Sequence, residues 1–146
     1  TLKSNLLTTL FRLPALTWGE KAAYAKSAEL MEFVGCGEYI NAEASAMSYG
    51  ALKRLEIARA LAAEPKIILL DEPAAGLNAV ETTALEALIR KIAEQGITVM
   101  LVEHDMKLVM NISDHLLVLN YGRVLAEGTP EQIRANPDVI AAYLGG

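Results

Sequence analysis

The stretch MSYGALKRLEIARALAAEPKIILLDEP, Met47 to Pro73, sets a Ser-x-Gly turn, a helical pattern, four consecutive aliphatic residues and two adjacent acids in one short span. Ser48 is placed to cap a helix over 48–63, with Leu52, Leu55, Ala58 and Ala62 on one stripe and Pro65 beyond its end. Residues 67–70 are aliphatic without polar alternation, which predicts a parallel strand buried on both faces. Asp71 and Glu72 fall at its carboxyl end.

Downstream, Asn78 and Glu81 have capping-box spacing, Leu85, Leu88, Ile89 and Ile92 form an apolar helical stripe, and Gly96 is the stop. Residues 97–102 are a second apolar run, so strand, helix and strand predict a parallel crossover with ligands beyond the carboxyl ends of the strands. That places Asp71 and Glu72 on the same sheet edge as Glu103 and His104. From His115 the pattern predicts two strands around a tight Tyr121-Gly122 turn, then two short helices opened by Thr129-Pro130 and Asn136-Pro137.

Upstream, Thr17 and Glu20 have capping-box spacing for a helix ending at Gly35. Before it, Leu2, Leu6, Leu7 and Leu10 predict a helix stopped by Pro14; Lys3 and Arg12 are too few for a basic membrane-lying face, which favours docking on protein.

Whole-chain composition narrows the function classes. The 146 residues are 53% hydrophobic and carry a net charge of −5, with 5% aromatic residues. Such a balance offers no basic stripe with stacking aromatics, so a helicase-type reading of Asp71-Glu72-Pro73-Ala74 lacks its nucleic-acid surface. No apolar run reaches membrane-spanning length, because Glu103, His104 and Asp105 interrupt the one after Ile97. The single cysteine, Cys36, excludes an internal disulfide framework and reads as a small core filler. The first residues, Thr1-Leu2-Lys3, show neither an initiator Met nor a signal pattern, as expected of a processed chain or a fragment.

A carboxylate pair at a strand end can hold a divalent cation and activate a water. Successive strand residues point to opposite sides, so Asp71 and Glu72 divide those tasks. A helix start with Ser48 and Gly50 offers a hydroxyl, unpaired N–H groups and a positive dipole end to a phosphate. Glu103, His104 and Asp105 are adjacent and do not converge as metal ligands, and no Cys/His spacing supports zinc.

These motifs together resemble the nucleotide-binding subunits of ABC transporters, and the resemblance extends over essentially the whole chain. "IILLDE" looks like the Walker B strand, which implies that Asp71 helps hold Mg²⁺ through water and that Glu72 polarises the attacking water. "MSYG" resembles the family signature, so Ser48, Tyr49 and Gly50 are implied to contact the ATP of an opposite subunit. "AAGLN" resembles the loop after Walker B and brings in Asn78, while His104 matches the switch histidine. The later stretch from Val102 resembles the ATPases of branched-chain amino acid importers, and less closely those of lipopolysaccharide export. The implied fold is α/β: part of a P-loop NTPase parallel sheet (65–146) with a C-terminal hairpin and short helices, plus an ABC-type helical subdomain (1–64). The implied cofactors are ATP and Mg²⁺. The implied partners are a second ATPase subunit and integral membrane permease subunits at the cytoplasmic face of the inner membrane, with no nucleic acid.

Two departures stand out. No Gly-x-x-x-x-Gly-Lys-[Ser/Thr] occurs in the chain, which leads to the expectation of an N-terminally truncated cassette, inactive alone. The competing class is a non-hydrolysing regulatory protein that keeps the fold. Ala51-Leu52 stand where the branch usually carries two glutamines, which implies weaker binding across the dimer.

Overall fold

The computed structural model describes residues 14–144, so the helix expected over the first thirteen residues lies outside them. The described residues form two compact units, one ending at Pro65 and the other beginning at Lys66.

The first unit is helical. Helix α1 (Pro14–Phe33) opens on Pro14, whose fixed φ and missing N–H suit a first helical position. Thr17 therefore lies inside the first turn and is not the N-cap that its spacing with Glu20 predicted. At the other end Gly35, at φ 71, donates to Glu32 O and Cys36 donates to Met31 O, the paired bonds of a Schellman stop. Cys36 is fully buried, with its thiol 3.5 Å from Ala51 O. It is the small filler that its isolation in the sequence suggested.

Helix α2 (Tyr49–Leu61) is capped by Ser48 and packs against α1. Its buried face is Gly50, Ala51, Ile57, Ala58 and Leu61. The expected stripe is thus rotated: Leu52 and Leu55 are half-buried and Ala62 is exposed. The contact that marks the observed face is at Ala51, whose carbonyl lies 3.5 Å from the Cys36 thiol. The helix also stops short of residue 63. Pro65 excludes helical geometry at the residue before it, and Glu64 takes φ 51.

The second unit opens with strand β1 (Ile67–Asp71), helix α3 (Ala79–Glu94) and strand β2 (Thr98–Val102). The strands pair in parallel, from Ile67 opposite Thr98 to Asp71 opposite Val102, so both carboxyl ends lie at one edge. Helix α3 starts on a complete Asn78–Glu81 capping box, buries Leu85, Leu88, Ile89 and Ile92, and gives way to Gly96 at φ 80. It packs on β2 and on α4 (Met106–Ile112), and Arg90 Nη2 donates to Asn111 O at 2.8 Å. Strands β3 (Leu116–Asn120) and β4 (Arg123–Gly128) form an antiparallel hairpin. Its two turn residues, Tyr121 at φ 47 and Gly122 at φ 75, are both left-handed, the geometry that matches strand twist. Helix α5 (Pro130–Ala135) and the short α6 (Pro137–Val139) follow their expected caps, and a π-helical turn covers Ile140–Leu144. Val118, Ala126, Ile133 and Val139 make the core beneath the hairpin.

One expectation fails. The strands are not buried on both faces: Ile68 of β1 is covered, whereas Ile67, Leu69, Met100 and Val102 are exposed, Leu69 at 69%. Among the described residues α3 supplies one covering layer for this pair, and the period-two alternation sends every second side chain to the other face. The register sets Leu69 beside Met100, so the exposed side chains form one apolar strip.

Two outcomes follow. Ile92→Ala, at a position with no exposed surface, lowers stability by about 2–5 kcal/mol in denaturant unfolding, whereas Val80→Ala, at 79% exposure, changes it by under about 0.5 kcal/mol. The isolated 146-residue chain self-associates in light scattering through the uncovered strip and strand edges, and Leu69→Lys reduces that association; a monodisperse monomer of the unsubstituted chain contradicts this.

Candidate active site

At the shared carboxyl edge of β1 and β2 the chain makes two turns that carry the acids and the histidine. Asp71 is the last residue of β1 and is exposed. Glu72 follows at φ 42, a left-handed conformation that costs a residue with a side chain about 1–2 kcal/mol. Its backbone is held on both sides: Glu72 N–H donates to Val102 O at 2.9 Å, and Ala75 N–H donates to Glu72 O at 3.1 Å. The chain thus leaves the strand in a tight turn over a buried Pro73. Strain of this kind persists only where surrounding contacts impose it.

The second turn follows β2. His104 is exposed, and its Nδ1 lies 3.5 Å from Glu72 Oε1, so the two residues that the resemblance paired in hydrolysis are neighbours across the strand ends. Asp105 does not face them. Its carboxylate caps α4, accepting from Lys107 N–H at 2.9 Å and Leu108 N–H at 3.1 Å.

Glu103, directly before His104, is the residue that sequence reasoning missed. Its side chain is 1% exposed. Oε1 accepts from Ala74 N–H at 2.9 Å, and Oε2 accepts from the N–H groups of His104, at 3.1 Å, and Asp105, at 3.5 Å. An acid directly after an apolar strand is the one local feature at Glu103, and one of its donors comes from 29 residues away.

The other expected ligands sit at helix starts. Ser48 Oγ accepts from Ala51 N–H at 3.2 Å, which leaves its O–H to donate elsewhere. Tyr49 is half exposed with the Lys53 ammonium 5.7 Å from its ring centre, and Gly50 is buried. Asn78 Oδ1 accepts from Val80 and Glu81 N–H groups, so its carbonyl is spent on capping α3 and its side-chain NH₂ alone is left for a ligand. Asp71 offers an exposed hard oxygen donor with no Lys or Arg ion pair among the described residues, which suits Mg²⁺ held through water.

The fold is that of ATP-binding cassettes. Superposition on the ADP conformation of MJ1267, an ATP-binding cassette of an ABC transporter, gives a TM-score of 0.75 at 31% identity over 84% of this chain and 50% of that one. A nucleotide-free cassette from an ABC transporter gives 0.77 at 28% identity over 99% and 58%. The chain belongs to the ABC transporter family, whose model matches residues 3–75; the model for the branched-chain amino acid ATP-binding cassette transporter matches residues 123–146. It is similar to the high-affinity branched-chain amino acid transport ATP-binding protein BraF of Pseudomonas aeruginosa, at 54% identity over 99% of this chain, and to LivG of Escherichia coli K12, at 49% over the same share. The chain spans 57% of the length of these curated relatives.

Ser48 offers a test that separates capping from ligand binding. In the full chain that carries these residues, Ser48→Ala costs about 0.5–2 kcal/mol of stability and Ser48→Gly only a few tenths, because glycine tolerates the cap position. If the hydroxyl also contacts nucleotide, both variants weaken nucleotide-dependent association equally.

Proposed function

We propose that these residues are the water-activating and signature parts of an ATP-hydrolysing subunit that drives branched-chain amino acid import. The observation that carries the proposal is the Glu72–His104 pair at the common carboxyl edge of two parallel strands, with Asp71 one residue away. The names of the BraF and LivG relatives support the transported class. The subunit works as a dimer on the cytoplasmic face of the inner membrane, bound to integral permease subunits. Among the described residues no helix is long and apolar enough to cross a membrane.

Mg²⁺, when bound, neutralises charge on the ATP phosphates, and Asp71 is the residue that would hold it, through water. Glu72 accepts a hydrogen bond from the attacking water, and its fixed left-handed backbone sets the carboxylate before substrate arrives. His104 stands with Nδ1 beside Glu72 and would contact the γ-phosphate as an imidazole N–H donor. Ser48 O–H and the N–H groups at the start of α2 serve the nucleotide held by the opposite subunit. The Lys and amide cradle for the β- and γ-phosphates are not among these residues, so the 146-residue chain alone hydrolyses ATP at background rate.

The test uses the full chain that carries these residues. Glu72→Gln keeps shape and ATP binding but removes the acceptor charge, so hydrolysis falls by about 10²–10⁴-fold while ATP-dependent dimerisation persists. Asp71→Asn weakens Mg²⁺-dependent ATP binding itself. A Glu72→Gln protein that hydrolyses ATP normally overturns the assignment and favours the regulatory, non-hydrolysing class.

A further inference from the structure

Glu103 has no part in the chemistry just assigned, yet its surroundings are the most demanding at this edge. A carboxylate with 1% of its side chain exposed has lost nearly all of its hydration. No Lys or Arg pairs with it among the described residues, and the imidazole of His104 is 3.9 Å away. Its charge is met instead by backbone N–H groups from two chain segments. Oε1 takes Ala74 N–H, two residues past Glu72; Oε2 takes those of His104 and Asp105. One side chain thus bridges positions 29 residues apart and joins the turn that strains Glu72 to the turn that carries His104.

We propose that Glu103 is a positioning residue for hydrolysis, a carboxylate clamp that holds Glu72 and His104 in register across the strand ends. The proposal rests on the reading of Glu72 and His104 as the hydrolytic pair. Two features of a carboxylate make it suitable. Both oxygens accept, so each bridge end meets its N–H donor with an acceptor; and the Glu side chain spans the gap between the β2 exit and Ala74. Glutamine keeps the shape but turns an NH₂ toward an N–H at one end, so one turn loses its tether. Aspartate is one methylene short. The clamp also explains how the left-handed Glu72 persists: Ala74 N–H is held by Glu103 on the far side of the same turn that the Ala75–Glu72 bond closes.

The experiment compares Glu103→Gln, Glu72→Gln and a core variant, Leu88→Val, in the full chain that carries these residues. Leu88 is buried on α3, outside the sequence of both turns, and supplies a control for plain destabilisation. Glu103→Gln lowers kcat for ATP by about 10–10²-fold, as expected for misplaced reacting groups, while KM for ATP stays within about 3-fold. In the same variant the ¹⁵N resonances of the His104 ring shift toward those of a free imidazole, without nucleotide present. Leu88→Val, despite a lower Tm, changes neither kcat nor the His104 resonances. The clamp is overturned if Glu103→Gln keeps wild-type kcat and His104 resonances, or if its loss of kcat is matched by Leu88→Val. If Glu72→Gln hydrolyses normally, the hydrolytic reading itself fails, whereas an inactive Glu72→Gln beside a normal Glu103→Gln removes the clamp alone.

Discussion

A carboxylate taken out of water needs a donor for each oxygen, and Glu103 finds its donors in the two turns that end β1 and β2. Leaving a buried acceptor unsatisfied costs about 1–3 kcal/mol, and more when it is charged. The turns are therefore constrained to stay where their N–H groups meet Glu103. Everything exposed at this edge depends on that constraint. Glu72 is held left-handed between Val102 O and Ala75 N–H, and His104 follows directly from the clamped residue. Asp105, next in line, is turned away to start α4. Three consecutive residues thus do three separate things: one joins the turns, one faces Glu72, and one opens a helix.

The parallel register supplies the frame for this edge. With Asp71 opposite Val102, β1 and β2 end level, and Glu72 N–H continues the ladder one step onto Val102 O. A slip of one residue would move Ile68 from the covered face to the bare one and separate the two turns. Burial of Ile68 and of the α3 stripe Leu85, Leu88, Ile89 and Ile92 opposes such a slip. Core packing and site geometry are in this way the same constraint seen from two ends of the strands.

What could be read from the sequence was local. Helix α3 carried its own start, stripe and stop within 78–96, and the Tyr121-Gly122 hairpin and the Thr129 and Asn136 caps are equally self-contained signals. The closeness of Glu72 to His104 followed from the strand–helix–strand order alone. Tertiary choices were not legible. Nothing in residues 67–70 says which face finds a covering layer, and nothing within 48–63 says that Ala51 meets Cys36. Thr17 lost its cap role because Pro14 starts the helix earlier. Glu103, His104 and Asp105 are adjacent and do not converge on a metal, and the sequence around Glu103 assigns it no other role. Its donors are assembled from a turn 29 residues away, and no local pattern reports that.

The bond between Glu103 Oε1 and Ala74 N–H joins the two turns, and native-state amide hydrogen exchange reads it directly. In the full chain that carries these residues, Ala74 N–H exchanges as slowly as the amides inside the β1–β2 ladder, and Glu103→Gln releases it by at least about tenfold while the ladder amides keep their protection. An Ala74 amide that exchanges as fast as an open loop in the unsubstituted protein, or one indifferent to Glu103→Gln, contradicts the account.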